Sequence, residues 1–118
     1  MLQRMVEIQD QAWANPSSLH GFGLKASEAL ERSRAQIAGC LRSDHQDVVF
    51  TSGATESIHL SLHGLAQLRS PGRLLISSVE HPAVAGAAHQ LSTSGWDVVE
   101  WPVDQLGTIR LELLDELL

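Results

Sequence analysis

Ser52, Gly53, Ala54, Thr55 and Glu56 follow directly on Val48-Val49-Phe50-Thr51. The first residues of this stretch are β-branched or aromatic, as a buried strand requires. Ser52-Gly53 breaks the run, and Ala54-Thr55-Glu56 opens a helical pattern. A tight strand-to-helix turn leaves backbone N–H groups unpaired at a helix N-terminus, where the macrodipole also favours an anion. Gly53 allows the backbone to approach a ligand, and the Ser52 and Thr55 hydroxyls add donors. These residue types suit a phosphate cradle. They also suit a plain turn with a helix cap, and residue chemistry alone leaves both open.

A second candidate is Glu80-His81, just after another apolar run, Leu74-Leu75-Ile76. In parallel α/β sheets ligands gather at the carboxyl ends of strands, so His81 is placed to act on a molecule whose phosphate sits in the first turn. The alternative is a histidine that only caps a loop. His59 and His63 are four residues apart and share a helix face, but Leu60 stands where the zincin pattern needs glutamate. They read as surface residues, and no metal site is expected. Cys40, between Gly39 and Leu41, reads as a small structural hydrophobe rather than a reactive thiol. Lys25 is the only lysine and lacks an apolar, desolvating surround, so it reads as a solvated residue on a helix.

These groups must be positioned by an alternation of helices and strands. A helix is expected from Met1 to about Ala14, stopped by Asn15-Pro16 because the residue before proline is pushed out of the helical region. Residues 15–23 form a loop rich in hydroxyl and amide groups that carries one imidazole, His20. Helix resumes near Leu24 and runs to about Leu41. A strand over 47–51 leads into a helix from Ala54 to about Leu68, with Ile58, Leu62, Leu65 and Ala66 as its apolar stripe. Ser70-Pro71-Gly72 turns the chain into a strand over 73–78, and Pro82 occupies the first position of a helix to about Leu91. A third strand spans 96–103, and a last helix starts at Leu111. The order α, α, β, α, β, α, β, α is that of an α/β fold with parallel pairing.

The bulk properties narrow the function. At 118 residues the chain is one small domain or part of a larger one. A formal charge of −6 gives no electrostatic case for nucleic acid or an anionic membrane. Three Trp, two Phe and no Tyr provide no platform for stacked bases. The N-terminus lacks the apolar core of a signal peptide, and no stretch approaches the length of a membrane span. A single cysteine excludes an internal disulfide and suits a reducing compartment, so a cytoplasmic location is expected.

Three motifs occur in order: Asn15-Pro16-Ser17-Ser18-Leu19-His20 with Gly23, then Phe50-Thr51-Ser52-Gly53-Ala54-Thr55-Glu56-Ser57, then Glu80-His81-Pro82-Ala83-Val84. Together they resemble the N-terminal part of a class V aminotransferase-fold enzyme that uses pyridoxal 5′-phosphate. More narrowly, they resemble the cysteine desulfurases of iron–sulfur cluster and nitrogenase assembly. The resemblance covers nearly the whole chain. It implies part of the large domain of a fold-type-I transferase, with a mainly parallel sheet and flanking helices, and residues 1–118 as a single partial domain. It further implies that Ala54 and Thr55 hold the cofactor phosphate and that His81 stacks on the pyridine ring and handles protons. His20 would lie on the substrate side. The complete enzyme would be a homodimer that converts L-cysteine to L-alanine and leaves a persulfide for a sulfur-acceptor scaffold protein.

The chain also departs from the family's pattern. It has no Asp-Asn-Ala-Ala-Thr-Thr-type opening loop, and nothing matches the pyridinium-pairing aspartate, the cofactor-binding lysine or the nucleophilic cysteine. Neither Lys25 nor Cys40 takes those roles, and His59 stands where asparagine is common. A fragment that is inactive alone and holds the cofactor weakly is therefore expected, its first strand unpaired with the other two. Selenocysteine lyase, or another class V aminotransferase, is the alternative enzyme. A non-catalytic interaction module is the alternative outside enzymes.

Overall fold

Helix α1 (Leu2–Gln11) ends five residues ahead of Pro16 in the computed structural model, which describes residues 2–118. The first residue of the helix expected from Met1 lies outside the described residues. The described chain divides between Phe50 and Thr51 into two compact units.

In the first unit, α2 (Gly21–Leu41) begins three residues earlier than the pattern from Leu24 suggests. The cause is His20, whose Nδ1 accepts the Gly23 N–H at 3.2 Å and so satisfies one of the orphan amides of the first turn. Gly23 is buried, and a Cβ there would collide with the Ser18 carbonyl. The loop before the helix therefore folds back on it only because this residue has no side chain. Inside that loop Asn15 accepts the Ser17 N–H on Oδ1 (2.9 Å) and the Ser18 N–H on its carbonyl (3.0 Å), and Trp13 lies 5.5 Å from the Phe22 ring. Helix α2 closes on Arg42 in the left-handed region (φ 56°, ψ 38°), a position usually given to glycine. The Arg42 and Ser43 N–H groups both donate to the Ala38 carbonyl.

The strand expected over 47–51 is not formed. A 3₁₀ turn (His45–Asp47), capped by the Asp44 carboxylate on the Gln46 N–H, leads to an extended Val48 that pairs with no strand among the described residues. A strand needs a neighbour for its amides and carbonyls. Here Arg34 of α2 takes part of that role, donating to the Val48 carbonyl and lying over the Phe50 ring, 5.1 Å from its centroid. Val49 remains 70% exposed and Phe50 42%, so the buried strand is corrected to an extended, exposed segment.

In the second unit, β1 (Arg73–Ser77) and β2 (Asp97–Trp101) pair in parallel, from Arg73 against Asp97 to Ser77 against Trp101. Helix α4 (Pro82–Leu91) makes the crossover and starts at Pro82 as expected. It buries Ala87, Ala88 and Leu91, while β1 buries Ile76. Helix α3 (Ala54–Gln67) packs on α4. Val103 forms an isolated antiparallel bridge with Ile109 in place of a longer third strand. The turn between them is held by the Asp104 carboxylate, which accepts the Leu106 and Thr108 amides at 2.8 and 2.9 Å and is thereby kept below the usual carboxylate pKa range. The last helix is a 3₁₀ turn (Leu111–Leu113) followed by the short α5 (Leu114–Leu117), tied down by Arg73, which donates to Asp97 and to the Leu117 carbonyl, each at 2.7 Å. Helices around a small parallel sheet make this an α/β fold. No helix among the described residues is long and apolar enough to cross a membrane.

Replacing Gly23 with alanine forces the Ser18 carbonyl away from α2 and pulls the His20 cap out of line. The expected loss is about 1–3 kcal/mol, the usual cost of overpacking. A thermal melt of Gly23→Ala should show it, whereas Gly21→Ala, whose added methyl meets open space, should leave the melt in place.

Candidate functional site in the second unit

The turn into α3 is knitted by its own side chains. Thr51 Oγ1 and Ser57 Oγ lie 2.7 Å apart, and both hydroxyls reach the Gly53 carbonyl, at 3.2 and 3.3 Å. Glu56 folds back over the turn, its Oε2 accepting the Ser52 N–H at 2.6 Å and the Ser52 hydroxyl at 2.7 Å. Gly53 is the N-cap and offers no side-chain acceptor. The amides of Ala54 and Thr55 and the Thr55 hydroxyl thus have no hydrogen-bond partner among the described residues. They form an exposed cluster of donors at the positive end of a 14-residue helix. The Ser52 hydroxyl, expected as a further donor, is instead committed to Glu56. Gly53 is extended (φ 163°, ψ −177°) and a Cβ there would meet nothing, so no contact inside the chain requires glycine at this position.

Helices α3 and α4 run side by side in the same direction. Ser57, Ile58 and Leu62, early in α3, share a groove with Val84, early in α4, while Gln67 near the end of α3 shares one with Gln90. The first turn of α3 and the N-cap of α4 therefore lie toward one end of this unit. His81 is that N-cap. It follows β1 through a turn in which the Ser77 hydroxyl accepts the Val79 N–H, and its Nδ1 accepts the Ala83 N–H at 3.1 Å. The capping role weighed against catalysis is thus present, yet it leaves the exposed ring face and Nε2 unused. With Nδ1 accepting, a neutral ring carries its proton on Nε2.

His20 also caps through Nδ1, in the first unit, with its ring exposed and its centroid 6.5 Å from that of Phe22. Ala54, Thr55 and His81 belong to the second unit and His20 to the first. Lys25 is exposed on α2, and Cys40 is an exposed free thiol on the same helix. Glu56, Thr51 and Ser57 shape the turn, a role their residue types alone do not reveal. The available signal was a carboxylate at the third helical position, which commonly reaches back to amides preceding the helix.

The Ser52 backbone and side-chain hydrogen bonds hold the Glu56 carboxyl below its ordinary value of 4.5. Because the folded-state value is lowered, this contribution to stability is complete above the ordinary value and is lost as pH falls through the lowered one. Protection of the Ser52 amide against exchange, relative to its intrinsic rate, should be constant near neutrality and fall on acidification below about 4.5. Glu56→Gln, which offers a weaker neutral acceptor, should show lower protection with no such fall. Equal protection in the two proteins across the range would contradict the assignment.

A model of the aminotransferase class-V family matches residues 1–118. Cysteine desulfurase IscS 1 of Archaeoglobus fulgidus is 39% identical, over 98% of this chain and 31% of its own length. A cysteine desulfurase of Azotobacter chroococcum is 37% identical over the whole of this chain and 30% of its own length. Among solved structures, a NifS-like protein superposes with a TM-score of 0.83 at 33% identity, over 99% of this chain and 33% of that one. The chain spans about a third of the length of these relatives. With the family match running from the first residue to the last, over the α/β elements and the turn described above, the chain belongs to the aminotransferase class-V family.

Proposed function

We propose that this chain carries the phosphate-binding end of the cofactor site of a pyridoxal 5′-phosphate-dependent cysteine desulfurase. The single observation that carries this reading is the set of free donors at Ala54 and Thr55, at the same end of the second unit as the unused face of His81. The names and extents of the relatives support it. In the complete protein, L-cysteine and an enzyme thiol would give L-alanine and an enzyme persulfide, and the persulfide sulfur would pass to an acceptor scaffold for iron–sulfur cluster assembly. We read residues 1–118 as one partial domain of the transferase large domain, and the complete enzyme as a cytoplasmic homodimer.

The donor set fits the phosphate of the cofactor. Two amides and a hydroxyl supply three hydrogen bonds to a dianion, and the α3 dipole adds to them. Glu56, the nearest carboxylate along the chain, stays ionised, but its two hydrogen bonds from Ser52 partly screen its charge, which lessens its repulsion of a phosphate. When bound, the cofactor supplies an electron sink for bond-breaking at the amino-acid α-carbon. His81 provides a flat face for the ring, and its Nε2 holds or moves a proton while the Ala83 amide fixes the imidazole through Nδ1. His20, fixed in the same way by Gly23, is assigned to the substrate side. Lys25 and Cys40 have no part in this scheme: sulfur transfer requires a thiolate aimed at the substrate sulfur.

A titration with pyridoxal 5′-phosphate and with pyridoxal, followed by absorbance, tests the reading. The phosphorylated form should bind more tightly. Thr55→Ala should weaken it by on the order of tenfold, the worth of a hydrogen bond to a charged group, without affecting pyridoxal. His81→Ala should weaken both. Equal binding of the two vitamers, or no effect of Thr55→Ala, would contradict the proposal.

A further inference from the structure

Farther along α3, on the face toward the end of α4, the structure holds an unpaired polar group that the reading above does not use. Nε2 of His63 is buried and has no hydrogen-bond partner among the described residues. A buried ring nitrogen left in that state is costly, so native structures normally supply it with a protein group, an ordered water or an ion. The His59 ring lies beside it, with centroids 5.8 Å apart and planes 19° from parallel. Both residues are half-buried, which limits the rotamer freedom that ordering them would cost. With Gly64, Gln67 and Gln90 they line one groove between α3 and α4.

We propose that His59 and His63 chelate a late first-row divalent metal ion in this groove, with Zn²⁺ the ion of first choice. Imidazoles four residues apart on a helix face the same way, and imidazole nitrogen suits zinc, nickel and copper. Ring centroids 5.8 Å apart are within the span that two imidazoles on one ion require at zinc–nitrogen bonds of about 2.0–2.1 Å, once the rings turn out of their near-parallel stacking. The ion would give His63 Nε2 the partner it lacks. No third His, Cys, Asp or Glu joins the pair among the described residues, so the remaining positions fall to water and to the carboxamide oxygens of Gln67 and Gln90. Such an open, two-histidine site is one of moderate affinity. His89, on α4, is engaged differently: its Nε2 lies 3.5 Å from Glu100. The site is separate from the phosphate turn, since His59 and His63 stand about 7.5 and 13.5 Å along the helix from Ala54 at the usual rise per residue. It departs from the surface reading of the histidine pair and does not depend on the cofactor assignment.

Calorimetric titration of the chain with Zn²⁺, together with histidine ring-proton NMR of the same samples, tests it. One equivalent should bind, and the ring signals of His59 and His63 should move together and saturate together. His59→Ala and His63→Ala should each weaken binding by at least about tenfold, as loss of one of only two imidazoles requires. His89→Ala should bind like the wild type. The NMR result on the unmodified chain stands even if a variant fails to fold. Zn²⁺ that leaves the His59 and His63 signals in place, or that binds both variants as tightly as the wild type, overturns the proposal.

Discussion

The Glu56 carboxylate reaches back over the first turn of α3 to take the amide and the hydroxyl of Ser52, while Thr51 and Ser57 clasp the Gly53 carbonyl beneath it. This small network decides what the rest of the second unit can offer a ligand. It consumes the acceptors and hydroxyls that could otherwise fold over the helix end, and it leaves the Ala54 and Thr55 amides and the Thr55 hydroxyl facing outward. A helix end satisfied by its own N-cap side chain would have no such vacancy. Here Gly53 supplies no cap, so the positive end of the dipole stays available for an anion.

The packing around that turn is spare. The buried apolar residues of the second unit are Ile76, Ala87, Ala88 and Leu91, and no large side chain is fully buried among the described residues. Leu65, Leu68, Val79 and Leu106 are all exposed, and the sheet has two strands with an open edge on each side. Open edges and uncovered leucines are liabilities in a free-standing domain. Under the proposed reading, further strands and helices of the complete enzyme cover them. The network at α3 and the caps of α2 and α4 are local, in contrast, and draw only on neighbours in sequence.

That contrast explains what could be read from the chain beforehand. Pro82 marked the start of α4, the apolar run after Gly72 marked β1, and the Ser52–Thr55 bend marked the start of α3, because each signal acts within a few residues. The strand at 47–51 failed because Val48, Val49 and Phe50 have strand character but no strand to pair with among the described residues; Arg34 reaches Val48 and Phe50 instead. The start of α2 was misplaced because Gly21 and Gly23 look like loop, and their helical role depends on the His20 ring and on the close passage of Ser18. For the site, residue types suggested the donors but not which hydroxyls were free, since the Ser52–Glu56 contact is a choice between side-chain conformers. The pairing of Nδ1 with the amide two or three residues on, at both His20 and His81, was likewise invisible in composition, as was the orphaned nitrogen of His63.

The most direct measurement is a proton–nitrogen NMR titration of the uniformly labelled chain with pyridoxal 5′-phosphate. The account requires the Ala54 and Thr55 amide signals to shift downfield and saturate in step with the His81 ring protons, while the Ser52 amide, held by Glu56, moves little. Shifts scattered over other amides, with Ala54 and Thr55 unchanged at saturation, would contradict it.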